Sequence, residues 1–298
     1  LSHLIQLLRI DMSNFESNSE SSNSESNVDT LPPLHTQNPL ERFANRADDY
    51  AKYRPSYPTA AIDAILHATL HADRVGDPTK LRFADIGAGT GISSRLLADR
   101  GVTVWAIEPN AAMRAAAQPH ANVEYRHGTA EHTGLPDQSV DGILCCQAFH
   151  WFEPVAALTE FRRILKPGGQ VALMWNDRNR QDEFTEAYTH VIAQAVDPRY
   201  LERLDRKASE AEALRTSDLF TNYRALTFSN THQLDQAGLI GIALSASYVP
   251  KQGDLHQQLL ANLAALYDRW SRPSATDPGQ AFVTLSYCTN LFLATAPS

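Results

Sequence analysis

The sequence predicts an α/β protein built on one mixed sheet of seven strands, parallel except for one antiparallel C-terminal strand, with helices on both faces and a helical cap. Three observations carry this prediction. The run Leu81-Arg82-Phe83-Ala84-Asp85-Ile86 reads as a buried strand and breaks into Gly87-Ala88-Gly89-Thr90-Gly91 before the pattern turns helical. From 82 to 175, short β-prone runs alternate with helical segments at βαβ spacing, which implies a largely parallel sheet covered on both faces. Beyond the last helical segment, the long β-prone run 281–294 finds an antiparallel partner at 224–230.

The chain has 298 residues, enough for one large or two modest domains. With 26 basic against 34 acidic residues, its net charge of -8 argues against general duplex binding through a basic face. Cys145, Cys146 and Cys288 sit in apolar contexts without CxxC spacing, as buried thiols in a reducing compartment do, and a cytoplasmic protein is expected. No run approaches the roughly 18 apolar residues that span a bilayer, so no membrane partner is expected. The opening ten residues lack a basic segment and a small-residue cleavage site, and Met12 is expected as the true start. Residues 13–30 are mostly Ser, Asn and Glu, with almost nothing to bury. A disordered tail is therefore expected over 1–38 and a single domain over 39–298, with cap elements from about 39–58, 177–222 and 246–272.

The elements follow in order. A short helix near 41–50 leads into an extended or turn segment at 53–58, where Pro55 and Pro58 forbid helix, and a helix runs over 59–71. Strands are expected at 82–86, 102–107, 123–126, 140–145 and 169–175, with helices at 91–100, 110–118 and 153–165 between them. Right-handed crossovers place all these strand ends, and the loops after them, on one edge. The stretch 177–222 breaks the rhythm: it is charged and helical, with helices at 181–194 and 205–219 on either side of Asp197-Pro198. After the strand at 224–230 come helices at 234–245 and 255–270, then the turn-rich 272–279 and the final strand.

The glycine turn places backbone N–H groups and a helix N-terminus at the open end of the first strand, where a polar ligand can lie against main chain. Gly87 and Gly89 are expected there because a Cβ would block the turn or the ligand. The aromatic and basic residues Tyr50, Tyr53, Arg54 and Tyr57 either form a lid over that pocket or staple the N-terminal helix to the sheet. No cluster has metal-ligand spacing, and no serine or cysteine arrangement is of nucleophilic type.

Five motifs in order resemble the class I S-adenosylmethionine-dependent methyltransferases, whose fold is Rossmann-like. They are Ala84-Asp85-Ile86-Gly87-Ala88-Gly89-Thr90-Gly91, Ile107-Glu108-Pro109-Asn110, Gly128-Thr129-Ala130-Glu131, the run from Leu135 to Asp141, and Leu165-Lys166-Pro167-Gly168-Gly169. More narrowly, the run from Tyr53 to Pro58, Gln147-Ala148-Phe149-His150-Trp151-Phe152 and Trp175-Asn176-Asp177-Arg178 resemble the small-molecule subgroup that includes trans-aconitate methyltransferase.

The resemblance implies S-adenosyl-L-methionine as cofactor and S-adenosyl-L-homocysteine as product. It assigns the cofactor to Asp85, Gly87, Ala88, Gly89, Glu108, Pro109, Met113, Thr129, Ala130, Glu131 and Gln147. Glu108 closes the second strand, where an acid accepts bonds from two ribose hydroxyls. Asp85 pairs with the methionyl amino group, which a nicotinamide cofactor lacks, and Met113 covers the adenine face. Many members carry Asp where this chain has Thr129, so the bond to the adenine amine falls to a hydroxyl without charge assistance.

His150 and Trp151 follow the fourth strand, at the substrate mouth, His150 as hydrogen-bond donor or general base. Asn176 joins them there, and Arg54, Arg178 and Lys52 are the cations available to a carboxylate acceptor. The expected reaction is in-line methyl transfer to a small molecule, without metal, by a monomer or homodimer. A nucleic-acid or protein substrate is disfavoured because Gln147-Ala148-Phe149-His150 replaces the Asn-Pro-Pro-Tyr-like sequence of base-modifying members. A non-catalytic binding protein and a nicotinamide-dependent reductase are the alternatives.

Overall fold

The computed structural model describes Thr36 and residues 47–70, 76–197, 211–274 and 279–298. Apart from Thr36, the expected tail over 1–38 lies outside the described residues, as do the start of the helix at 41–50 and the first part of that at 205–219. The strands are β1 (Arg82–Ile86), β2 (Thr103–Ile107), β3 (Val123–Arg126), β4 (Val140–Cys146), β5 (Leu165–Arg178), β6 (Thr221–Leu234), β7 (Arg272–Pro273) and β8 (Ala281–Thr295). The helices are α1 (Ala47–Tyr53), α2 (Thr59–Leu70), α3 (Ile92–Ala98), α4 (Ala111–Ala115), α5 (Pro154–Ile164), α6 (Glu183–Ala193), α7 (Ala211–Thr216), α8 (Gln236–Leu244) and α9 (Asp254–Trp270).

The sheet runs β3-β2-β1-β4-β5-β8-β6, with the two-residue β7 added on β8. β1 to β5 are parallel, and β8 is antiparallel to both of its neighbours, β5 and β6. This is the expected Rossmann-like mixed sheet. The chain passes outward from β1 to β2 and β3, then returns to β4 on the other side of β1. That reversal opens a crevice between the C-terminal ends of β1 and β4, where α/β proteins of this type bind ligands.

β4 explains why the sheet is buried on both faces. All seven of its residues are buried. Ile143 and Cys145 join one core with Phe149, Phe161 and Trp175; Leu144 and Cys146 join the other with Ile62, Ile65, Phe83 and Leu97. Gly142 leaves room for the Phe83 ring, which a Cβ there would overlap. Asp141, also buried, is held by the Arg82 N–H at 3.0 Å and the Lys166 ammonium at 2.9 Å.

A third core lies in the cap. Phe184, Tyr188 and Ile192 of α6, Leu239 and Ile242 of α8, and Leu259 and Leu263 of α9 pack against Val283, Leu285 and Tyr287 of β8. β5 ends opposite Tyr287, whereas β6 and β8 stay paired as far as Leu234 and Val283. The antiparallel pair therefore overhangs the C-terminal edge of the parallel strands, and the cap packs on that overhang.

Some boundaries differ from expectation. α1 continues to Tyr53 and stops ahead of Pro55, because the residue before a proline avoids helix. β5 begins directly after α5 rather than at the expected 169: the Leu165–Gly169 motif is drawn into pairing, with Leu165 opposite Val140 and the Gly168 N–H donating to the Ala296 carbonyl at 3.1 Å. β6 spans 14 residues because β8 offers a partner along that whole length.

Candidate active site

A cavity of about 610 Å³ lies at the β1/β4 crevice. Its wall includes the expected Tyr50, Gly87, Gly89, Glu108, Pro109, Met113, Thr129, Ala130, Glu131, Gln147 and Trp151. It adds Thr36, Asn110, Cys146, Ala148, Phe152 and Glu153. Ala88 and Asp85 are not part of the wall, nor are His150, Tyr53, Arg54, Tyr57, Asn176 and Arg178.

The turn after β1 is held from both sides. Gly87, at φ 68°, has Ala148 and Phe152 so close that a Cβ would stand 2.7 Å from the Ala148 Cβ. Glu108 ties the turn to β2: one carboxylate oxygen accepts the Gly89 N–H at 2.9 Å and the other the Asn110 N–H at 2.8 Å. Asn110 in turn caps α4, its side-chain oxygen accepting the Ala112 and Met113 N–H groups. This capping fixes Met113 against the cavity, and the Asn-then-helix pattern was its sequence signal.

On the far wall, Thr129 closes its own turn, with its hydroxyl accepting the His132 N–H at 3.2 Å. Glu131 accepts the Glu153 N–H at 3.0 Å, and Glu153 caps α5 ahead of Pro154. Glu108, Glu131 and Glu153 thus give the wall three carboxylates; no Lys, Arg or His among the described residues lines it, and Arg114 acts on Glu108 from outside the cavity. Such a wall suits a cationic ligand and opposes a pyrophosphate.

Asp85 lies fully buried behind the turn. One carboxylate oxygen accepts the Ser93 hydroxyl at 2.7 Å and the Ser94 hydroxyl at 2.6 Å, and the other has no protein partner. Burial pushes its pKa from 3.8 up to about 6, against the two serine bonds that favour the ionised form. Between those values the folded state holds a proton that the unfolded chain has lost. Stability therefore falls as pH rises from about 4 to about 6, by on the order of 2–3 kcal/mol. Asp85→Asn keeps the serine acceptor and removes the titration, so melting temperature followed against pH loses that slope. A slope retained in the variant would assign it to another group.

Past β4, Gln147 adopts a left-handed backbone at φ 55°, unusual for a residue with a Cβ. Its N–H donates to the Met174 carbonyl at 2.9 Å and its side chain to the Asn176 carbonyl at 3.1 Å. His150 sits behind this wall, 7% exposed, with its ring 5.3 Å from that of Trp151. Its Nδ1 accepts the Trp175 indole N–H at 3.3 Å, which leaves the ring proton on Nε2. Nδ1 is therefore already engaged as an acceptor, and of the two expected roles this geometry supports the donor.

In the aromatic segment Tyr53 packs on the cap helix α8 rather than on the sheet, and Asn176 is held to the same stretch of chain. The Tyr53 ring packs where a Cβ on Gly241 would stand. The Asn176 amide donates to the Ser56 carbonyl at 3.1 Å, and its oxygen accepts the Thr289 hydroxyl at 2.6 Å. Tyr57 is buried in the α2 core beside Cys146. Tyr50 faces the cavity with Arg54 over its ring. Glu153 was legible only as a helix start, and Phe152 only as the last residue of the Gln147–Phe152 run.

The orphaned Asp85 oxygen, the acidic wall and the glycine cradle fit a sulfonium nucleoside that carries an amino acid. Comparison with known proteins agrees. A family described as a methyltransferase domain matches residues 84–173. An uncharacterized methyltransferase of Mycobacterium tuberculosis is 31% identical over 263 residues, covering 85% of this chain and 96% of that protein. Among solved structures, one titled as a type II methyltransferase from Anaeromyxobacter dehalogenans has a TM-score of 0.58 at 23% identity, covering 83% of this chain and all of that one. A methyltransferase from an antibiotic biosynthesis pathway of Anabaena variabilis has a TM-score of 0.52 at 24% identity, covering 81% of this chain and 98% of the other. These structures share the fold, and the mycobacterial relative shares nearly its whole length. The chain belongs to the class I S-adenosylmethionine-dependent methyltransferases.

Proposed function

We propose that this methyltransferase acts on a small-molecule acceptor by in-line displacement, the acceptor entering beneath the cap beside Trp151. The observation that supports this reading is the cap on the overhang of β6 and β8, whose core packs against Tyr53 of α1, the helix that brings Tyr50 to the cavity wall. S-adenosylmethionine supplies an electrophilic methyl group on a positively charged sulfur. The chain's own task is alignment and exclusion of water. Glu108 receives the ribose hydroxyls, Met113 covers the base, and Thr129, Ala130 and Glu131 border its edge. Asp85, buried behind the turn and outside the wall, would act on the amino group through its charge or a bridging water. Gln147 and Trp151 separate the cofactor from the acceptor, and His150 donates a hydrogen bond from Nε2. The likeness of the segments after β4 and β5 to the small-molecule subgroup supports the same acceptor class.

Calorimetry with S-adenosylhomocysteine and with NAD tests the cofactor assignment, and methyl transfer to a metabolite panel tests the acceptor. Only the former ligand is expected to bind, and methylated product is expected from small molecules. Transfer to protein or RNA alone would overturn the reading. His150→Ala is expected to lower turnover by about tenfold while S-adenosylhomocysteine affinity holds within about twofold, as loss of a single donor does. Its pH–rate profile keeps the wild-type shape; loss of the acidic limb would restore the base role.

A further inference from the structure

We propose that Arg54 and Arg178 form an anion site beside the cofactor cavity, and that the methyl acceptor is a small organic acid held there by a carboxylate. This deepens, and rests on, the small-molecule reading above. Arg54 follows α1 with its guanidinium 4.9 Å from the centre of the Tyr50 ring. It donates to the Ser245 carbonyl at 3.4 Å, and its buried Nε has no protein partner. Arg178 ends β5 with its guanidinium 4.9 Å from the centre of the Tyr188 ring, donates to the Tyr248 hydroxyl at 3.4 Å and stands opposite Tyr287 in the sheet.

Neither arginine forms an ion pair with a carboxylate among the described residues. Some other cations have one, Lys166 from Asp141 at 2.9 Å, Arg163 from Glu160 at 2.7 Å and Arg100 from Asp63 at 2.6 Å, while Arg95 and Arg162 donate to backbone carbonyls; what sets Arg54 apart is a buried Nε with no protein partner. The tyrosines cannot substitute. Burial pushes Tyr287 up to about 12 and raises Tyr188 as well, so both are neutral near pH 7. Ring faces and hydroxyls compensate a cation only in part, and two half-buried guanidinium groups with no carboxylate partner among the described residues are a cost unless a ligand brings the anion. A carboxylate matches the guanidinium fork.

The two groups share one neighbourhood, since both arginine charges act on Tyr188 and on Tyr287. That neighbourhood adjoins the cofactor cavity at two points. Tyr50 lines the cavity on one side and carries Arg54 on its ring. Gln147 lines the cavity and holds the Asn176 carbonyl, two residues before Arg178. A carboxylate engaged by two forks has its lone pairs committed. It serves as a handle, and the atom that receives the methyl group lies elsewhere on the same molecule.

The test uses the full chain saturated with S-adenosylhomocysteine and titrates glutarate, its neutral isostere glutaramide and inorganic phosphate by calorimetry. Glutarate is expected to bind and glutaramide not to bind. Arg54→Gln and Arg178→Gln are each expected to weaken glutarate by roughly ten- to a hundredfold, with homocysteine-analogue affinity held within about twofold. Arg→Lys at either position falls between, because it keeps the charge and loses the fork. The proposal is overturned if wild type ignores glutarate, binds glutaramide equally well or prefers phosphate, or if the glutamine variants bind glutarate unchanged. Should a glutamine variant fail to bind the homocysteine analogue, the lysine variants and the glutarate–glutaramide pair decide. Wild type that fails to bind S-adenosylhomocysteine would instead defeat the methyl-transfer reading on which this site rests.

Discussion

Replacing Glu108 with alanine is expected to weaken S-adenosylhomocysteine binding by two to four orders of magnitude. The carboxylate is 8% exposed, and each oxygen already accepts one backbone N–H, from Gly89 or from Asn110. An ionised carboxylate has about four acceptor positions, so one on each oxygen remains for a ribose hydroxyl. Bonds to a charged acceptor contribute about 1.5–3 kcal/mol each, and losing two gives roughly 3–6 kcal/mol. Burial raises the Glu108 pKa, while the Asn110 and Gly89 N–H groups favour the charged form. Glu108→Gln keeps one acceptor and turns an N–H toward a backbone N–H, so it retains about half of the binding free energy at stake. Calorimetry on samples with cooperative melts checks both variants. Binding of the alanine variant within about threefold of wild type would remove Glu108 from the cofactor site.

How much of this was legible in the sequence depends on whether the determinant is local. The glycine turn, Glu108 and the apolar runs of β1 and β4 announce themselves within a few residues, because period and residue type suffice to place a buried strand end. β6 was legible at its centre only. Its C-terminal end, from Thr231 to Leu234, pairs because β8, some 60 residues later, extends past β5, and no local pattern encodes that length. Asn176 looked like a substrate contact from its place after β5. Its partners Ser56 and Thr289 come from both ends of the chain, so only the folded molecule reveals a staple. His150 followed the same logic: which lone pair is available depends on Trp175, its neighbour through the β4–β5 pairing rather than in sequence. That Arg54 and Arg178 have no carboxylate partner among the described residues depends on what the fold places around them, which composition cannot supply.

The glycines of the turn have separable duties, and alanine substitutions are expected to divide them. Gly91 has φ 75°, and a Cβ there would overlap the Tyr125 hydroxyl, whereas Gly91 does not line the cavity. Left-handed backbone costs alanine about 1–2 kcal/mol and the overlap about 1–3 kcal/mol more, so Gly91→Ala loses roughly 3 kcal/mol of stability. In a domain of this size that lowers the melting temperature by about 6–12 °C. The Tyr125 hydroxyl is buried without a protein partner, so Tyr125→Phe alone changes stability by no more than about 1 kcal/mol. Combined with Gly91→Ala it recovers the overlap part and leaves the backbone part, a coupling that a double-mutant cycle measures directly. Gly89 is the converse case. At φ 57° its Cβ would meet nothing nearer than Tyr50 at 3.9 Å, and that space belongs to the cavity. Gly89→Ala therefore lowers stability by the backbone cost alone, about 1–2 kcal/mol, and takes its larger toll on S-adenosylhomocysteine affinity. If Gly91→Ala lost affinity at unchanged stability, or Gly89→Ala lost stability alone, the ligand would have to lie on the other side of the turn.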